Sequence, residues 1–211
     1  AILLAVVLRI VFNPAIHYSK GEKLFDSGKF SAAAEQFSAA GDYKDAASKA
    51  KRATAAQSYA DGEAKFKAGD YTAASALFTA AAGYEDAAER VRQSQLGVHY
   101  KAAETAFANG DYPSAISEFE QAENFQDAAE QVLASTYALA DENEKKEEYA
   151  KAIEEFDSIG DYSDAKERIF AIGLARLNAN DFSLAEKAFE TGGSSQSEDY
   201  YYYTQGKELF S

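Results

Sequence analysis

Aromatic, small and apolar positions recur along this chain at helical spacing. One pattern reads aromatic, two residues, alanine, three residues, phenylalanine. Its five copies are Phe30/Ala33/Phe37, Tyr71/Ala74/Phe78, Tyr112/Ala115/Phe119, Tyr149/Ala152/Phe156 and Phe182/Ala185/Phe189. Positions i, i+3 and i+7 share one helix face, so each copy predicts a short amphipathic helix, over about 30–38 in the first. Six residues after each of the first four closing phenylalanines comes a second aromatic followed by x-Asp-Ala, at Tyr43, Tyr84, Phe125 and Tyr162. A period near 40 residues predicts stacked helical hairpins and not one globular core.

The turns between these helices are written in glycine and aspartate. Gly28-Lys29, Gly69-Asp70 and Gly110-Asp111 precede short helices, and Gly41-Asp42, Gly83 and Gly160-Asp161 follow them. Glycine suits the left-handed position that ends a helix, and aspartate suits the N-cap of the next. Asp45, Asp86, Asp127 and Asp164 read as helix-start residues, where the helix dipole favours negative charge. A longer, alanine-rich helix follows, over about 45–68 in the second unit. The stretch from second aromatic to next motif is 28 residues after Tyr43 and Tyr84, then 24 after Phe125 and 20 after Tyr162. Each loss is close to one helical turn. The long helices should therefore shrink toward the C-terminus and change the curvature of the stack.

The two ends break the pattern. Tyr203-Thr-Gln-Gly-Lys-Glu-Leu-Phe-Ser211 matches Tyr18-Ser-Lys-Gly-Glu-Lys-Leu-Phe-Asp26, the opening of a sixth unit. The loop before it, 192–197, lacks the aromatic-x-Asp-Ala motif. Tyr200, Tyr201, Tyr202 and Tyr203 fall on one predicted helix, where consecutive side chains point about 100° apart. They cannot all face one core, and tyrosine suits an interface because its ring is apolar and its hydroxyl wet. The only strongly apolar run is residues 1–12, with Ile2, Leu3, Leu4, Val6, Val7, Leu8, Ile10, Val11 and Phe12. A bilayer span needs roughly 20 apolar residues, so this run, which contains Arg9, is too short to cross alone. Two readings stay open, a segment buried in protein and the tail of a longer membrane anchor.

Composition narrows the chemistry. The 211 residues carry a formal net charge of −14. That field repels a phosphate backbone, so nucleic acid is not an expected partner. With no cysteine there is no disulfide, thiol nucleophile or thiolate metal site. His17 and His99 are the only histidines and have no ligand-spaced companions, so both read as helix-surface or interface side chains. Asp141, Glu142, Glu144, Glu147 and Glu148 form an acidic cluster. Ca²⁺ sites need loop ligands at fixed offsets, so this reads as a solvated helix face. No catalytic, cofactor-binding or metal-binding residue is expected, and no cofactor.

The spacing of small, large, alanine and phenylalanine positions resembles the tetratricopeptide-repeat (TPR) superfamily. Gly21, Leu24, Ala33, Phe37 and Ala40 carry the resemblance in the first unit, Gly62, Ala74, Phe78 and Ala81 in the second, and Ala103, Ala115, Phe119 and Ala122 in the third. Ala140, Ala152 and Phe156 follow in the fourth, Gly173, Ala185 and Phe189 in the fifth, and Gly206 and Leu209 in the sixth. The periods of 41, 41, 37 and 33 depart from the family's 34, and its tryptophan and inter-repeat proline are missing. Gly-Asp-Tyr-x-Asp-Ala replaces the proline turn, as in bacterial extracytoplasmic variants. The resemblance implies an all-α solenoid of about five and a half hairpins over residues 16–211, preceded by an apolar N-terminal helix over 1–15. It also implies a non-enzymatic, protein-binding role.

The expectation is a structural protein that self-assembles into an extracellular filament or tube. The expected assembly surface is the nine apolar residues above with Tyr200, Tyr201, Tyr202, Tyr203, Leu209 and Phe210. The partner would be a second copy of the chain. The alternative is a membrane-anchored extracytoplasmic adaptor for another protein or peptide, touching the membrane through residues 1–12.

Overall fold

The computed structural model describes residues 13–193 and 195–209. Among them it is all-α, with no strand. Eleven helices follow in order: α1 Pro14–Asp26, α2 Phe30–Ala39, α3 Ala46–Lys67, α4 Tyr71–Ala80, α5 Ala87–Ala108, α6 Tyr112–Gln121, α7 Ala128–Lys145, α8 Tyr149–Ser158, α9 Ala165–Asn178, α10 Phe182–Gly192 and α11 Ser195–Leu209. The predicted helices over 30–38 and 45–68 match α2 and α3 to within a residue at each end. Asp45 is the N-cap and Ala68 the C-cap of α3. From α3 to α9 the long helices run 22, 22, 18 and 14 residues, so the four-residue losses fall inside them. α1 begins at Pro14, inside the segment assigned to an N-terminal helix. Asn13 caps it by accepting from the Ala15 amide at 3.0 Å, and proline suits a first helical position, where no amide is needed.

Two compact units result, one ending at Val98 and one beginning at His99, with the division inside α5. In the first, α1 packs on α2, α2 on α3 and α3 on α4. In the second, each helix from α6 to α11 packs on the next, and the short helices α8 and α10 also touch. The repeated motif forms the core of both. Ala33, Ala74, Ala115, Ala152 and Ala185 are fully buried, and the five closing phenylalanines are at most 2 % exposed. Each ring needs a small residue opposite. A Cβ added to Gly21, Gly62 or Gly173 would stand 2.8, 2.9 or 2.6 Å from the ring of Phe37, Phe78 or Phe189. The turns need left-handed backbone, supplied by Gly69 (φ 75°) but by Asn180 and Glu147 in later units.

Within each compact unit the joint between consecutive repeats is polar and in constant register. The hydroxyl of Tyr18 donates to the Asp45 carboxylate at 2.5 Å. Tyr59 donates to Asp86, Tyr100 to Asp127 and Tyr137 to Asp164, all 27 residues on. The aspartates do stand at helix starts, but Asp45, Asp127 and Asp164 do not cap with their side chains. They are turned to the preceding long helix instead. Four residues after Asp45, Asp86 and Asp164 comes a further, basic partner. Lys49 pairs with Glu22 at 2.5 Å, Arg90 with Glu63 at 2.5 Å, and Arg168 with Asp141 at 2.8 Å.

These joints make stability depend on pH at both extremes. The hydrogen bond from Tyr18 holds Asp45 below the ordinary aspartate value of 3.8, and Tyr100 does the same for Asp127. A lowered carboxylate contributes stability above its ordinary value and loses it as the pH falls through the folded value. The bond to Asp86, with burial, pushes Tyr59 from 10.0 to about 12. A raised phenol contributes fully below 10.0 and loses that contribution on the way up to about 12. The melting temperature should therefore fall more steeply between about pH 10 and 12 in the wild type than in Tyr59→Phe. Parallel curves for the two proteins would show that this joint does not couple to folding.

Candidate functional site

At the end of the chain the joint changes character. Phe170 takes the place of the joint tyrosines, and Ser197 stands 27 residues on where aspartate stood. Ser197 is 1 % exposed. The ring seat filled by Tyr43 against Tyr18 at 5.6 Å is filled here by Tyr200. Its ring centroid lies 5.6 Å from Phe170 and 5.4 Å from Phe189. The missing aromatic-x-Asp-Ala motif is thus replaced from within α11. Thr204 is 1 % exposed and donates to the Tyr200 carbonyl at 2.8 Å, and Gln205 donates to Glu186 at 2.8 Å. The Tyr200–Phe189 and Gln205–Glu186 contacts hold α11 on α10.

Part of α11 is open. Tyr202, Tyr203 and Leu209 are 62 %, 53 % and 83 % exposed. Gly206 stands where Gly21, Gly62 and Gly173 meet a phenylalanine ring, yet among the described residues nothing lies within 4 Å of a Cβ built there. Lys207 extends over the Tyr203 ring, 5.6 Å from its centroid. Tyr203 and Lys207 themselves line a groove of about 780 Å³ together with Leu174, Leu177, Phe182, Asp199 and Tyr200. Of the residues singled out in the sequence, Tyr202, Tyr203 and Leu209 share this exposed helix. Tyr200 is half-buried and packs on Phe170 and Phe189 instead. Tyr201 is half-buried against Tyr202, its phenol pushed up by burial and by the nearby Glu186 and Glu190. Ile2, Leu3, Leu4, Val6, Val7, Leu8, Ile10, Val11, Phe12 and Phe210 lie outside the described residues.

The remaining candidate groups are engaged in packing. The Nδ1 atoms of His17 and His99 lie 2.9 Å from the Gln36 amide oxygen and 2.8 Å from the Glu118 carboxylate. The acidic cluster is only partly a solvated face. Asp141 and Glu144 grip Arg168 at 2.8 and 2.6 Å, while Glu142 and Glu148 pair with Lys146 and Lys151. Buried Asn143 donates to both carboxylate oxygens of Glu155, whose acidity is weakened by its own burial. Among the described residues no three His, Cys, Asp or Glu side chains converge as a metal site, and no helix is long and apolar enough to cross a membrane. The tyrosine–aspartate joint was the feature that motif reading missed. Its signal was the constant offset of 27 between Tyr18, Tyr59, Tyr100, Tyr137 and their aspartates. Comparison with known proteins finds no matching family model and no matching curated sequence.

Proposed function

We propose that this protein is a non-enzymatic scaffold, a TPR-like solenoid that docks a further polypeptide on the open side of α11. One observation carries the reading. The Tyr203/Gly206 face repeats the Tyr18/Gly21 face, which α2 and the start of α3 cover within the chain, and nothing described covers it at α11. A helical segment of the kind that covers Tyr18 and Gly21 fits it. The acidic composition and the resemblance to bacterial extracytoplasmic arrays support a place outside the cytoplasm.

A second reading is favoured by the apolar run at 1–12 together with exposed Tyr202 and Leu209. Copies of the chain would join end to end, with the apolar segment buried between them, into a filament or tube. A heterologous contact of that type generates rings or open polymers. Negative-stain electron microscopy of the native protein, isolated without detergent, separates the two. Regular filaments that vanish when residues 1–15 are deleted mean self-assembly, whereas dispersed particles mean a different partner. Filaments that persist unchanged in the double variant Tyr203→Glu/Leu209→Glu would remove α11 from either reading.

A further inference from the structure

A seat for a cation recurs beside the joints. On the long helix of the first three, an acid and an aromatic stand three residues apart, as Glu22 and Phe25, Glu63 and Phe66, and Glu104 and Phe107. That spacing puts both on one helix face. The next long helix supplies the cation, four residues after its joint aspartate. Arg90 shows the arrangement complete. Its guanidinium lies 4.2 Å from the Phe66 ring and 5.3 Å from that of Phe78, and its Nε donates to Glu63 at 2.5 Å. Lys49 lies 5.8 Å from Phe37 and pairs with Glu22 at 2.5 Å. In the fourth joint Glu144 replaces the aromatic, and Arg168 lies 5.1 Å from Phe156 and pairs with Asp141 at 2.8 Å.

At the third joint the chain does not supply the cation. Gln131 stands at the register of Arg90 and donates to Asp127 at 2.9 Å. Phe107 is held edge-on by Tyr112 at 5.5 Å and is 36 % exposed, whereas Phe66, under Arg90, is half-buried. Lys101 binds one oxygen of Glu104 at 2.7 Å, and among the described residues no donor takes the other. These residues all fall between 100 and 131, with complete joints before and after them in sequence, so the exposure of Phe107 is a property of this joint. The compact unit that begins at His99 carries more than twice as many Asp and Glu as Lys and Arg, while the unit before it is nearly balanced. Its field favours a cationic partner.

We infer that Phe107 and Glu104 receive an arginine side chain of a partner polypeptide. Its guanidinium lies on the Phe107 ring, as that of Arg90 lies on Phe66, and donates to the second oxygen of Glu104. Arginine fits better than lysine because its planar head can stack on a ring and bond a carboxylate at once. A polypeptide fits better than a free amino acid because Phe107 and Glu104 address only the head group, and the cations at the other joints are side chains reaching from a neighbouring helix. This docking point is independent of α11.

The probe is N-acetyl-arginine methylamide, whose only charge is the guanidinium. It is titrated into the full chain labelled with fluorophenylalanine and followed by fluorine NMR. The Phe107 and Phe66 signals are assigned by their loss in Phe107→Leu and Phe66→Leu. The Phe107 signal should shift saturably, with a dissociation constant at least about tenfold below that at Phe66, whose ring Arg90 covers. Glu104→Gln should weaken the response at Phe107 by about threefold to tenfold, and the uncharged citrulline analogue should give none. Gln131→Arg supplies the cation from within. It should abolish the Phe107 response and raise the melting temperature by about 2–4 °C. Equal responses at Phe107 and Phe66, a response to the citrulline analogue, or no response would overturn the inference. So would binding that survives unchanged in Glu104→Gln, an arm that decides the matter even where Gln131→Arg does not fold. Tighter binding of free arginine than of the capped probe would overturn the assignment to a polypeptide side chain.

Discussion

Phe78→Ala is expected to lower the unfolding free energy by about 3–5 kcal/mol, the range for emptying a fully buried aromatic site. The ring has no exposed surface. It meets Tyr59 edge-on at 5.4 Å, lies under the Arg90 guanidinium at 5.3 Å, and packs where Gly62 has no side chain. Its removal leaves a hole that the neighbours fill poorly, because the wall opposite is bare helix backbone. The Tyr59–Asp86 and Arg90–Glu63 bonds also lose the ring that fixes their spacing. Urea unfolding measures the loss, and hydrogen exchange should place it first in α3 and α4, since repeat units depend mainly on their neighbours. A loss under about 1 kcal/mol would mean that this ring does not anchor its joint.

Ala115→Leu fails for the opposite reason. Ala115 is fully buried among Tyr100, Ala103, Phe119, Ala122 and Ala128. Three added carbons have no free volume and must push α6 off its neighbours, which costs typically about 1–3 kcal/mol. Ala74→Leu should behave alike, because Ala74 is the equivalent, equally buried position on α4. Ala150→Leu, on the exposed side of α8, should leave the melting temperature nearly unchanged. If all three variants melt together, the buried stripe of the short helices lies elsewhere.

Legibility followed range of interaction. The helices and their bounds could be read because spacing, glycine and capping act over a few residues, as with α2 after Gly28 and α4 after Asp70, whose carboxylate accepts from the Ala73 amide at 3.3 Å. The role of Asp45 could not be read from its surroundings. A carboxylate at a helix start has a local use in capping, and only the fold brings Tyr18 to it from 27 residues away. The acidic cluster on α7 misled for the same reason. Asp141 and Glu144 look solvated until Arg168 arrives from α9.

The end of the chain divides the two kinds of knowledge most clearly. By itself the sequence determined that Tyr203, Gly206 and Leu209 repeat a unit opening, and that four adjacent tyrosines cannot share one core, since helical rotation alone forbids it. Only the tertiary structure decided which of them turns inward. Phe170 and Phe189 offered a ring-sized seat that the lost aromatic-x-Asp-Ala motif left unfilled, and Tyr200 took it. That choice sets the rotation of α11 about its axis, and with it the exposure of Tyr202, Tyr203 and Leu209. Packing of side chains remote in sequence determines such a rotation, and no pattern of neighbouring residues encodes it.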